Sequence, residues 1–125
     1  MLKVKPERTN RFETDIVRLA EFMKGNHRGP ESFIRGRREF LLVHSFLYYT
    51  ANEPVVSDTV WQNYANELVV LQDSFPELCK IGFYDEAFVD WDASTGMDLP
   101  GDDWVIERAK REYRMYAGGT LEYLP

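Results

Sequence analysis

The stretch HSFLYYTANEPVVSD, His44 to Asp58, places an imidazole, several aromatic rings and a carboxylate around a proline turn. Those are groups that can hold a ligand. His44 and Tyr48 stand four apart, so a helix would put them on one face. Asp58, Trp61 and Gln62 follow at i, i+3 and i+4 and would share a face of the next helix. A hairpin could bring those two faces together. The stretch is therefore either the core of a helical hairpin or half of a ligand-binding site. At helical spacing Tyr48, Tyr49 and Trp61 suit core packing as readily as a site. By type alone, His44 reads as a half-buried, hydrogen-bonded histidine, and Asp58 as a helix cap.

No catalytic set emerges. His27 and His44 are the two histidines, and Cys79 has no designated base beside it. Nothing in the spacing selects a Ser-His-Asp arrangement. The run DWDASTGMDLPG puts Asp90, Asp92, Ser94 and Asp98 at positions 1, 3, 5 and 9 of a calcium loop. Its glycine falls one position late, and Gly101 stands where a bidentate glutamate is needed. A solvated or partner-facing acidic loop is the better reading, and no metal is expected.

The elements that must position these groups are helical. A first helix is expected over 10–24, with Phe12, Ile16, Leu19, Ala20 and Met23 on one face and Gly25 as its stop. A second runs over 31–51; its half FLLVHSFLYYT is apolar nearly all round, as in a central helix with several neighbours. Pro54 ends it. Ser57 or Asp58 caps a third helix over 58–74, striped by Val60, Trp61, Tyr64, Leu68 and Leu71. The short connection implies an antiparallel hairpin. Residues 81–101 form an acidic, aromatic-rich ordered loop, with room for a brief strand pair. Asp102 or Asp103 then caps a last helix over 103–117, with Trp104, Ala109, Tyr113 and Tyr116 toward its buried side. The fold class is mainly α, one small domain of about four helices.

Size and composition agree with that. A chain of 125 residues, 44% hydrophobic and 14% aromatic, is about one domain with a real core. A net charge of -6 disfavours general nucleic-acid binding but could attract a protein's own DNA-binding groove. The single cysteine excludes an internal disulfide. With no apolar signal core and no membrane-length apolar run, a cytoplasmic location away from membranes is expected.

The stretch Leu42 to Leu78 resembles the small N-terminal helical domain, domain Ia, of NAD-dependent DNA ligases. That domain reads as a helix ending in H-x-x-L-Y-Y/H, a turn with a proline, S/P-D-x-x-Y-D, a leucine-rich helix and a terminal PEL. His44, Leu47, Tyr48, Tyr49, Pro54, Ser57, Asp58, Glu67, Leu68 and Pro76-Glu77-Leu78 match without gaps. The resemblance implies a hairpin that grips the nicotinamide mononucleotide (NMN) half of NAD. Aromatic faces would stack on the cationic pyridinium, and carboxylates would accept from ribose hydroxyls and the carboxamide. On that basis the binding residues are Tyr48, Tyr49, Asp58, Trp61, Gln62 and His44, with NAD or NMN as ligand. Two positions depart from the pattern: Trp61 replaces its tyrosine and Gln62 its second aspartate. The adenylation motif K-x-D-G is missing around Lys3, Lys5, Lys24, Lys80 and Lys110. A catalytic ligase is not expected.

Three functions follow from this reading. The first is a non-catalytic Ia-like module that binds a nicotinamide nucleotide or has reused that surface for a protein partner. The second is an acidic inhibitor or regulator of a host nucleic-acid enzyme, occupying its basic groove. The third is an accessory subunit supplying the Ia function in trans to a DNA ligase core. Stand-alone relatives of this kind look like phage or mobile-element proteins, which would place the chain in a host cytoplasm.

Overall fold

The computed structural model describes residues 29–122. The helix expected over 10–24 lies outside them. Three α-helices make up the described fold: α1, Gly29–Ser45; α2, Asp58–Ser74; and α3, Asp103–Ala117. Helix α1 runs on through a wider π-helical turn, Phe46–Thr50. Single 3-10 turns at Pro76–Leu78 and Glu86–Phe88 punctuate the link between α2 and α3. The described residues are mainly α and contain no strand, so the strand pair allowed for in the 81–101 loop is absent there.

Helices α1 and α2 form the expected antiparallel hairpin. Early residues of α1 meet late residues of α2, Arg37 with Glu67 and Arg38 with Gln72, while late Ser45 meets early Trp61. The π-helical turn closes with Ala51 N–H donating to the Phe46 carbonyl at 2.9 Å, and Glu53 N–H caps the Leu47 carbonyl at 2.7 Å. Beyond it, Pro54 has no N–H with which to continue.

Helix α2 is capped by Ser57, whose hydroxyl accepts from Val60 N–H at 3.1 Å. Asp58 is therefore the first helical residue rather than the cap, because the shorter serine already satisfies the open N–H. Its carboxylate sits at the positive end of the helix dipole. Asp102 caps α3 by accepting from Val105 N–H at 3.1 Å, and Gly118 ends it in a left-handed conformation with φ 75°.

The core is built from Ile34, Leu41, Leu42 and Leu47 of the first helical run, Trp61, Ala65, Leu68 and Leu71 of α2, and Val105 and Ala109 of α3. The buried side of α3 starts at Val105, Ile106 and Ala109. Trp104 and Tyr116, expected on that side, lie elsewhere: Trp104 is 37% exposed and Tyr116 65% exposed. Trp104 is one position, about 100° of helix, from Val105. It packs edge-on against Phe83 at 5.4 Å instead. No helix among the described residues is long and apolar enough to cross a membrane.

Candidate functional site

The hairpin residues singled out from the sequence fall into two environments. Trp61 is 1% exposed, donates its indole N–H to Ser45 Oγ at 3.1 Å and meets Trp91 edge-on at 6.1 Å. Gln62, 5% exposed, donates from Nε2 to the Ala93 carbonyl at 3.0 Å and to Asn66 Oδ1 at 3.2 Å. Tyr49 accepts from the Thr95 hydroxyl at 3.1 Å. These three side chains come together, but what they meet is the segment 91–97 of the same chain. Gly96 lies so close to Ser45 Oγ and Trp61 that a Cβ there would collide with both.

His44 and Asp58 stand apart from that cluster. The His44 ring lies 4.3 Å from Phe40, which in turn stacks on Tyr64 at 4.0 Å. Burial pushes the His44 imidazole down to about 4, so it is neutral at pH 7. It is fully buried, not half-buried, and its Nδ1 has no hydrogen-bond partner. Asp58 is exposed at the start of α2. Tyr48 is half-buried, with its ring 4.8 Å from that of Tyr49.

Of the residues assigned to a nicotinamide nucleotide, Trp61 and Gln62 are turned into the fold, whereas Tyr48 is half-buried and Asp58 exposed. Trp61, the ring placed to stack on a pyridinium, has no open face, and the Gln62 amide N–H groups are spent on Ala93 and Asn66. One group is left over: Gln62 Oε1 is buried without a partner.

A second polar centre, not singled out from the sequence, organises the acidic loop. Arg38 is 1% exposed and lies in the core. Its guanidinium donates to Gln72 Oε1 at 3.0 Å, the Phe83 carbonyl at 2.9 Å, Asp85 Oδ1 at 2.7 Å and the Cys79 carbonyl at 2.8 Å. Asp85 also accepts from the N–H groups of Ile81, Gly82 and Phe83. Desolvation would raise the Asp85 carboxyl, but the Gly82 N–H, Arg38 and the Ile81 and Phe83 N–H groups together hold it down at about 2. The sequence carried a signal: Arg38 occupies i+4 in the stripe Ile34, Arg38, Leu41, Leu42.

Neighbouring groups are settled rather than reactive. Burial, chiefly, raises the Cys79 thiol, which donates to the Gln72 carbonyl at 3.5 Å. A protonated, hydrogen-bonded thiol is a poor nucleophile. Burial and then its bond to the Asp102 carboxylate raise the Tyr84 phenol to about 12. In the calcium-loop stretch, Asp92 Oδ1 accepts from Ser94 N–H at 2.9 Å, an Asx turn. Among the described residues no three His, Cys, Asp or Glu side chains group to hold a metal ion.

The chain also presents an open groove of about 440 Å³ between α1 and α3. Phe40, Val43 and Tyr64 line it, and Met115 and Tyr116 stand on its α3 side.

Comparison with known proteins gives one relation. Over 45 residues, 36% of the chain, the sequence is 38% identical to a DNA ligase of Lawsonia intracellularis (strain PHE/MN1-00), of which the match covers 7%. No family model matches the chain, and no solved structure does. The fold described above is mainly α, and one stretch of its sequence is related to a DNA ligase.

Proposed function

We propose that this chain is a non-catalytic module built on the Ia hairpin of NAD-dependent DNA ligases, its former nucleotide surface now serving a protein partner. The observation that carries this reading is the seating of residues 91–97 against Ser45, Tyr49, Trp61 and Gln62. Three of the groups that the resemblance assigns to a nicotinamide, Tyr49, Trp61 and Gln62, have partners inside the fold. What the same segment turns outward is Met97, 65% exposed, two residues from the Thr95 that bonds Tyr49. An exposed, unbranched methionine suits a contact surface. The ligase similarity points to a ligase core as the partner.

Calorimetry on the full chain tests this. Titration with NMN and with NAD should give no heat at millimolar ligand. Titration with an NAD-dependent ligase core lacking its own N-terminal helical domain should give a complex that Met97→Glu weakens. Heat with NMN that Tyr48→Ala removes would overturn the proposal, as would the absence of any complex with the core.

A second reading rests on the exposed carboxylates Glu86, Asp90, Asp98, Asp102 and Asp103 on one connecting segment and helix start. They would suit a regulator that occupies the basic groove of a nucleic-acid enzyme. Such a complex weakens steeply with salt. Binding unchanged between low and high salt would exclude it.

A further inference from the structure

We propose that the outward face of α3 is a self-complementary surface on which a second copy of this chain docks antiparallel. Helix α3 buries Val105, Ile106 and Ala109 against the core. At about 100° per residue, Asp103, Glu107, Arg111 and Arg114 fall within about 80° of arc on the opposite side. All four are exposed. Among the described residues Asp103, Arg111 and Arg114 form no ion pair. Glu107 makes a long contact with Lys110, at 3.8 Å, that leaves its side chain 74% exposed. From N- to C-terminus the face runs acid, acid, base, base. The helix dipole favours that order, and the order makes the face complementary to its own reverse.

An antiparallel pair uses that order twice, because a two-fold axis repeats every contact. With the axis level with Ala109, Glu107 of each copy meets Arg111 of the other, and Asp103 meets Arg114. Asp103 and Arg114 share one edge of the face, and Trp104 and Met115 share the other, so the edges match as well. Trp104 packs edge-on against Phe83, has the Arg108 guanidinium 5.1 Å from its ring, and remains 37% exposed. Met115 is 68% exposed. A thioether against an aromatic ring is a favourable contact. The two helix dipoles also oppose each other in this arrangement. One pair of 15-residue helices makes a small interface, so self-association should be weak and salt-sensitive. The face includes none of the hairpin residues and shares Asp103 alone with the acidic segment described above, so it stands whatever those surfaces bind.

Sedimentation equilibrium on the full chain tests this. The average mass should rise from monomer toward dimer with concentration, and less so in high salt. Arg111→Glu and Glu107→Arg each set like charges against each other between the copies. Each should weaken dimerisation about tenfold or more, a difference of ~1.4 kcal/mol. An equimolar mixture of the two variants should dimerise again. In the mixed dimer one Glu107–Arg111 pair is native and the other is reversed in both members. Both positions are exposed, and circular dichroism checks the fold of each variant. A chain that stays monomeric up to millimolar concentration would overturn the proposal. So would a dimer that Arg111→Glu leaves intact, or a mixture of the two folded variants that stays monomeric.

Discussion

Replacing Arg38 by methionine keeps much of the buried volume but removes every donor of the network. Four acceptors lose their partner at once: Gln72 Oε1, the carbonyls of Cys79 and Phe83, and the Asp85 carboxylate. Breaking a buried pair by removing one member costs about 3–5 kcal/mol, because the other charge stays without compensation. The lower end applies here. The Asp85 side chain is 29% exposed, so water can take over part of its solvation, and three backbone N–H groups remain on it. A loss of ~3 kcal/mol is a large share of the total stability of a domain, typically about 5–15 kcal/mol. Urea denaturation followed by circular dichroism measures it. The Arg38→Met midpoint should fall, and the slope should fall too if the loop around 79–88 detaches in the folded state and exposes surface. Asp85→Asn in the same background removes the stranded charge and should return part of the loss. The reasoning fails if Arg38→Met costs less than about 1 kcal/mol with an unchanged slope, the behaviour of an ordinary surface arginine.

Three further outcomes follow from the same structure. His44 has an imidazole lowered from 6.5 to about 4, so between those pH values the unfolded chain takes up a proton that the folded chain refuses. Its contribution is complete above pH 6.5 and is lost on acidification to pH 4, amounting to about 3 kcal/mol; chemical denaturation across that range should show the slope in the native chain and a shallower one in His44→Met. Gly96→Ala forces a Cβ against Ser45 and Trp61, and should cost about 1–3 kcal/mol and shift the tryptophan emission as the 91–97 segment loosens. Ser57→Ala removes the cap of α2 and should cost about 1 kcal/mol in thermal melts, whereas Asp58→Ala loses only a dipole interaction of about 0.3–1 kcal/mol; the reverse order would make Asp58 the cap after all.

Much of the scaffold was legible from local rules. The hairpin followed from an apolar run, Pro54 and the stripe of α2, and its observed boundaries lie within two residues of those expected. The stop of α3 at Gly118 followed from glycine's tolerance of a left-handed turn. Where two acceptors stood side by side, Ser57 or Asp58, the choice depended on geometry that composition does not encode. The 81–101 loop was expected to be ordered through its aromatic rings, and Phe83 and Phe88 are indeed buried. What anchors it was not expected. Arg38 lies 47 positions from Asp85 in the sequence, and no local pattern links them.

The candidate site divides in the same way. Residue types and spacing by themselves determined that Tyr49, Trp61 and Gln62 belong to a hairpin whose two helices face each other. Tertiary structure alone decided what fills the space beside them. Periodicity says which way a side chain points but not whether solvent, a ligand or a distant stretch of chain will meet it. Here segment 91–97 does, through Ala93, Thr95 and Gly96. The open groove between α1 and α3 was equally hidden, because it depends on how α3 packs across α1, a long-range contact with no local signature.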